Sequence, residues 1–201
     1  MRSPRGTPAA AAPLRVAPRR LCPPEPNRVR VFRPLRENGP ALLVPAAWTV
    51  AAAAVLGVVS THALFVAHLV MSALLVGFVA ASWRDMAAGV LRTWKLVILA
   101  GTPVTLAGVA GFLALGRSLG VPPDALLALS LYGWALLPAA GFVSTRNRVE
   151  TGAWIYDVGA VCCVTGAVGV ALAPGATWTA VALGVVGAGQ TAGILDATFR
   201  Y

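Results

Sequence analysis

Two histidines, His62 and His68, stand in the otherwise apolar stretch STHALFVAHLVMS, and the chain has no others. Imidazole can ligate haem iron or another metal, carry a proton, or hydrogen-bond a neighbouring helix. Spacing separates these uses. Six residues turn a helix by 600°, which leaves the two rings about 120° apart and off the i, i+4 register of a helical zinc pair. Both belong to one helix hairpin, so they cannot clamp opposite faces of a haem. No cofactor is expected from this pattern; the form of haem or quinone binding it leaves open is a single ligand, His68, or a site shared between two subunits. The alternative is that His68 stays neutral and bonds a neighbouring helix, and Tyr132, at a similar depth, is its expected partner.

Polar residues inside apolar segments are functional candidates by default. Besides His68 and Tyr132 these are Gln190, past the middle of the last segment, and Asp157, about one turn into the fifth. Asp157 lies within reach of Arg146 or Arg148 on the preceding loop, so an ion pair is expected there. Asp196 has Arg200 at i+4, a favourable helical pair. Gly116-Arg-Ser118-Leu-Gly120 matches GxSxG. That motif serves a nucleophile only where a strand turns sharply into a helix, and here it joins two apolar segments of a chain with 21 glycines. It is read as a chance match, with no catalytic residue and no enzyme expected. Of the three cysteines, Cys22 follows charge rather than an apolar run, and Cys162 and Cys163 are adjacent core residues; none forms a metal-ligand pattern.

The elements that would position these groups follow from composition. The chain of 201 residues is 58% hydrophobic and 11% charged, under half the charge of a soluble domain, where roughly 25% is usual. Residues 1–40 hold nine Arg and nine Pro with Glu25 and Glu37 as the only acids, a composition that cannot bury a core and is expected to form a disordered basic tail, or to be a mis-assigned start. Residues 41–201 carry six apolar runs of spanning length, about 41–59, 63–81, 96–115, 125–143, 154–172 and 177–196. In lipid each must satisfy its own backbone, so all are helices: an all-α integral membrane six-helix bundle. A further short helix is expected over 83–95, lying in the interface between Trp83 and Trp94, with Trp154 as another anchor.

Charge sets the orientation. With the tail in the cytoplasm, that side carries 15 of the 16 basic residues and the other side only Arg117, which places both termini inside. GC-rich residue usage (Ala, Gly, Pro and Arg, with one lysine) points to a prokaryotic inner membrane. The partner expected for the tail is anionic lipid head groups rather than nucleic acid, since Phe32 is its only aromatic for stacking. In the last segment Ala180, Gly184, Ala188 and Ala192 form a small-residue ridge, and Gly189 and Gly193 a GxxxG step beside it; both suit close helix packing, within the chain by default or against a second copy. Pro103 and Pro138 are expected to kink their helices. The function classes left are an accessory or assembly subunit of a membrane complex, a small permease with a path at His68, Tyr132 and Gln190, and a redox protein using His68.

Overall fold

The computed structural model describes residues 28–117 and 120–200, with side chains from Leu42 to Arg117 and from Gly120 to Ala197. The described residues are helical and contain no strand. The helices are α1 (Arg28–Val55), α2 (Thr61–Ser82), α3 (Gly89–Ala114), α4 (Pro123–Arg146), α5 (Ala153–Leu172) and α6 (Ala176–Arg200). Five, α2 to α6, are long and apolar enough to cross a membrane; α1 has a shorter apolar part, Leu42–Val55. Of the expected tail, residues 1–27 lie outside the described residues, and the backbone of 28–40 is part of α1.

Local chemistry explains most of the boundaries. α1 ends where Gly57 adopts φ +78, the left-handed conformation in which glycine closes a helix C-terminus without a Cβ penalty. α2 starts at once, its N-cap Ser60 accepting from the amide of Ala63 at 3.2 Å. α4 opens on Pro123, with Asp124 in its first turn, where a proline has no amide to lose and a carboxylate meets the positive end of the dipole. The helix expected over 83–95 is not a separate element. Residues 83–88 run as turns, Gly89 takes φ +61, and 89–95 form the first two turns of α3. α3 and α4 run through Pro103 and Pro138 without interruption.

The helices pack in the order α2, α3, α4, α5, α6, α1, with α1 and α2 meeting only sparsely. The α1–α2 hairpin is therefore adjacent in sequence and open in space. The α2–α3 and α4–α5 connections share one end of the bundle, hereafter the basic end. Trp48, Phe142, Tyr156, Leu183 and Val186 are the large core side chains. Glycines make room for them. Phe142 is fully buried in a slot between α5 and α6, where a Cβ on Gly193 would come within 2.4 Å of its ring and one on Gly159 within 3.2 Å. Trp134 lies against Gly101, and Trp48 against Gly187, in the same manner. Such close approach lets dispersion hold helices together where lipid supplies no hydrophobic drive.

The two small-residue ridges of α6 part company. Gly189 and Gly193 are buried, against Cys162 and Phe142. Gly184, Ala188 and Ala192 are exposed and Ala180 is half-buried, and nothing lies within 4 Å of a Cβ at Gly184. The packing expected of that ridge within the chain does not occur. The inward face of α6 is claimed by Leu183, Val186, Gly187 and Gln190 instead, which turns the neighbouring stripe outward.

Candidate functional site

Two polar nodes lie inside the bundle. The first is built on α2. His68 Nδ1 lies 2.9 Å from the Leu64 carbonyl, and Nε2 faces the Ser130 hydroxyl of α4 at 3.5 Å. The ring reaches α4 because α3 has a glycine in between: a Cβ on Gly108 would stand 2.5 Å from His68 Cδ2 and 2.7 Å from Ser130 Oγ. Phe112 closes the node, edge to face with the imidazole at 5.1 Å. The simplest assignment has Nδ1–H donating to the Leu64 carbonyl and Nε2 accepting from Ser130.

Tyr132 is not the partner. It packs against the core cluster, two residues on from Ser130, and two residues rotate a helix by about 200°. The shared depth of His68 and Tyr132 does not bring them to a shared face. The geometry bears on iron as well. Each imidazole nitrogen of His68 already faces a protein oxygen, and α3 and α4 stand where an iron on Nε2 would go.

The second node is a chain of hydrogen bonds across four helices. Trp48 of α1 donates its indole N–H to Gln190 Oε1 at 2.9 Å. Gln190 donates from Nε2 to the Trp134 carbonyl of α4 at 2.9 Å. Trp134 donates its own indole N–H to Thr105 Oγ1 of α3 at 2.8 Å, and Thr105 donates to the Gly101 carbonyl at 3.0 Å. Gln190 and Thr105 are each 2% exposed. An unpaired amide there would cost a few kcal/mol, and two of the bonds made by Gln190 link different helices. Every group in this chain is a neutral donor or acceptor suited to holding geometry, and the buried Cys163 thiol lies against Gln190 beside it.

Apart from Arg117 and Asp124 at the opposite end, the described charged side chains lie at the basic end. Arg146 Nε donates to Asp157 Oδ2 at 2.9 Å and lies 2.8 Å from Oδ1. Both side chains are about half exposed, so the pair contributes less than about 1 kcal/mol. Arg148 donates to Thr93 and to Ser144 Oγ, and these hydroxyls lie 3.1 Å apart, tying α3 to α4. Lys95 Nζ lies 3.5 Å from the Trp83 carbonyl and 4.5 Å above its ring. Trp83 and Trp154 are largely exposed, whereas Trp94 turns inward onto Phe142, ring centres 5.3 Å apart. The buried Ser82 hydroxyl and the Trp94 indole N–H have no hydrogen-bond partner among the described residues. Ser118 and the side chain of Arg200 lie outside the described residues, and with them the GxSxG serine and the Asp196–Arg200 pair. Among the described residues no three His, Cys, Asp or Glu side chains group as a metal site would require.

Sequence reasoning singled out His68, Gln190 and Asp157 but not their partners Ser130, Trp48, Trp134 and Thr105. A signal for the missing ones exists in α3, where Gly101, Thr105 and Gly108 recur on one face opposite large polar-tipped side chains. No protein family matches the chain, and comparison with curated proteins and with solved structures finds no match. What stands is a multi-pass membrane protein, five of whose described helices are long and apolar enough to cross a bilayer.

Proposed function

We propose that the chain is a non-catalytic accessory or assembly subunit of a membrane complex, in a prokaryotic inner membrane with both termini cytoplasmic. The observation that carries this reading is the use made of the interior polar groups. Gln190 and His68, the best candidates for chemistry, are both engaged in joining helices. A permease would need polar groups facing a passage. Here the amide of Gln190 is held at both its oxygen and its nitrogen, and Tyr132 packs into the core rather than beside His68. A redox role would need a free nitrogen on His68.

The partner's place, on this reading, is α2. Only 6% of its apolar window is buried, against 28–39% for α3 to α6, and it packs closely on α3 alone. The basic tail adds attraction to anionic head groups, about 1 kcal/mol for each basic residue near the surface. A photoreactive benzoylphenylalanine at Val70 on α2 or at Val161 on α5, both exposed to a similar degree, tests the reading in native membranes. The expected result is one discrete protein adduct from position 70 and none from 161. Lipid adducts alone from both positions, or solute flux through liposomes holding the pure protein, would contradict it.

A further inference from the structure

We propose that the basic end of α3 binds one anionic phospholipid, its phosphate among Arg92, Lys95 and Arg148 and its acyl chains along Leu96, Leu99 and Leu106. This goes beyond the attraction of the tail to head groups and is independent of the subunit reading.

Three basic side chains surround the first turns of α3. Arg92 and Lys95 are three residues apart on the helix, and Arg148 is brought to the same turn by its bonds to Thr93 and Ser144. Around the axis Arg92 lies between the other two: Lys95 is displaced about 60° towards α2 and Thr93 about 100° towards α4. No carboxylate among the described residues pairs with any of them. Arg92 is exposed, and its side chain makes no hydrogen bond or ion pair with a described residue. Lys95 is held on Trp83 by its carbonyl and its ring, and Arg148 by hydroxyls. Arg146, by contrast, is matched by Asp157. Like charges gathered without a counter-charge favour an anion between them, and guanidinium forks match phosphate oxygens in geometry.

What selects a lipid over free phosphate is the surface that continues from Arg92. Leu96 and Leu99 follow at i+4 and i+7, and Leu106 two heptads on, on the same outward face. They are 57%, 37% and 50% exposed, while Val97, Gly101, Thr105 and Gly108 face inward. A charged head followed by an apolar stripe is the shape of an amphiphile. Trp83, 52% exposed beside Lys95, stands at the level where head and chain join.

The test reconstitutes the full chain in phosphatidylcholine vesicles holding a minor fraction of acyl-brominated phosphatidylglycerol, or the same fraction of brominated phosphatidylcholine. Bromine quenches tryptophan on contact, and Trp83 is the reporter nearest the site. The expected result is stronger quenching by the brominated phosphatidylglycerol. Arg92→Gln, which breaks no contact within the protein, should weaken that preference roughly fivefold, and Arg148→Gln should weaken it likewise. Arg146→Gln should leave it unchanged, and added inorganic phosphate should not abolish it. Equal quenching by the two lipids, a preference that survives Arg92→Gln and is therefore owed to the tail, or its loss to inorganic phosphate would each overturn the proposal.

Discussion

His68 reaches α4 through a gap that Gly108 leaves in α3, and the consequence of that contact is measurable. Gly108→Ala would push a methyl group to within 2.5 Å of the imidazole. Overpacking of this kind costs about 1–3 kcal/mol, so the melting temperature in detergent should fall. In a His68→Ala background the same substitution should cost clearly less, because the nearest atom it meets is gone. An equal cost in both backgrounds would place the imidazole elsewhere. A second comparison separates the partners. His68→Phe and Ser130→Ala should show coupled losses, whereas His68→Phe and Tyr132→Phe should add. Depth was legible in the sequence, because helical rise is fixed at 1.5 Å per residue. The face was not. A choice of Tyr132 in place of Ser130 is an error of two residues along the chain and more than half a turn around it, and only the packing of α3 decides which face is presented. The Arg146–Asp157 pair could be read because both ends sit where loop and helix meet, eleven residues apart across one short connection.

At the scale of the element, α6 shows how far small-residue patterns can be trusted. Both of its ridges satisfy the same spacing rule, and one packs while the other faces outward. Gly193→Ala should therefore destabilise, by about 1–3 kcal/mol, since its methyl would meet the ring of Phe142 in a core that cannot yield. Gly184→Ala should be neutral or stabilising by up to about 1 kcal/mol, as alanine is the better helix former and nothing stands in its way. Thermal unfolding of the two variants in one detergent checks the contrast; equal losses would mean that the outward ridge is packed after all. The spans themselves were legible, because a run of about 20 apolar residues has few other fates. The short helix over 83–95 was misread for a local reason. Its apolar positions do recur at helical spacing, yet Gly89 takes a left-handed φ and starts a new helix there. Of the apolar positions only Val90, Leu91 and Trp94 fall in the first turns of α3, and Trp94 packs on Phe142 instead of marking the interface.

The whole molecule is a row of helices closed by α1 on α6 and open between α1 and α2. Neighbours in sequence mostly became neighbours in space, as short connections require. The exception at α1–α2 could not be seen in the sequence, since it depends on Trp48 finding Gln190, a contact between residues 142 positions apart. Orientation can be tested at this scale. In a chain whose own cysteines are replaced by alanine, an impermeant thiol reagent outside intact cells should label Arg117→Cys and not Glu150→Cys, two exposed positions at opposite ends of the bundle. Labelling of Glu150→Cys alone would reverse the orientation. Ser82 would be a poor choice for such a test, being only 3% exposed.

The central claim, that the interior polar groups hold helices together, falls most directly on the link between Trp48 and Gln190, which joins α1 to the rest of the bundle. The measurement is a double-mutant cycle of Trp48→Phe and Gln190→Leu, read as thermal stability in detergent. Interhelical hydrogen bonds in membranes average about 0.6 kcal/mol and reach about 1.7, so Gln190→Leu, which removes two, should cost about 1–2 kcal/mol, and the double variant should lose clearly less than the sum of the single losses. Strictly additive losses, or a Gln190→Leu protein as stable as the parent, would contradict the account and return Gln190 to the candidates for a functional site.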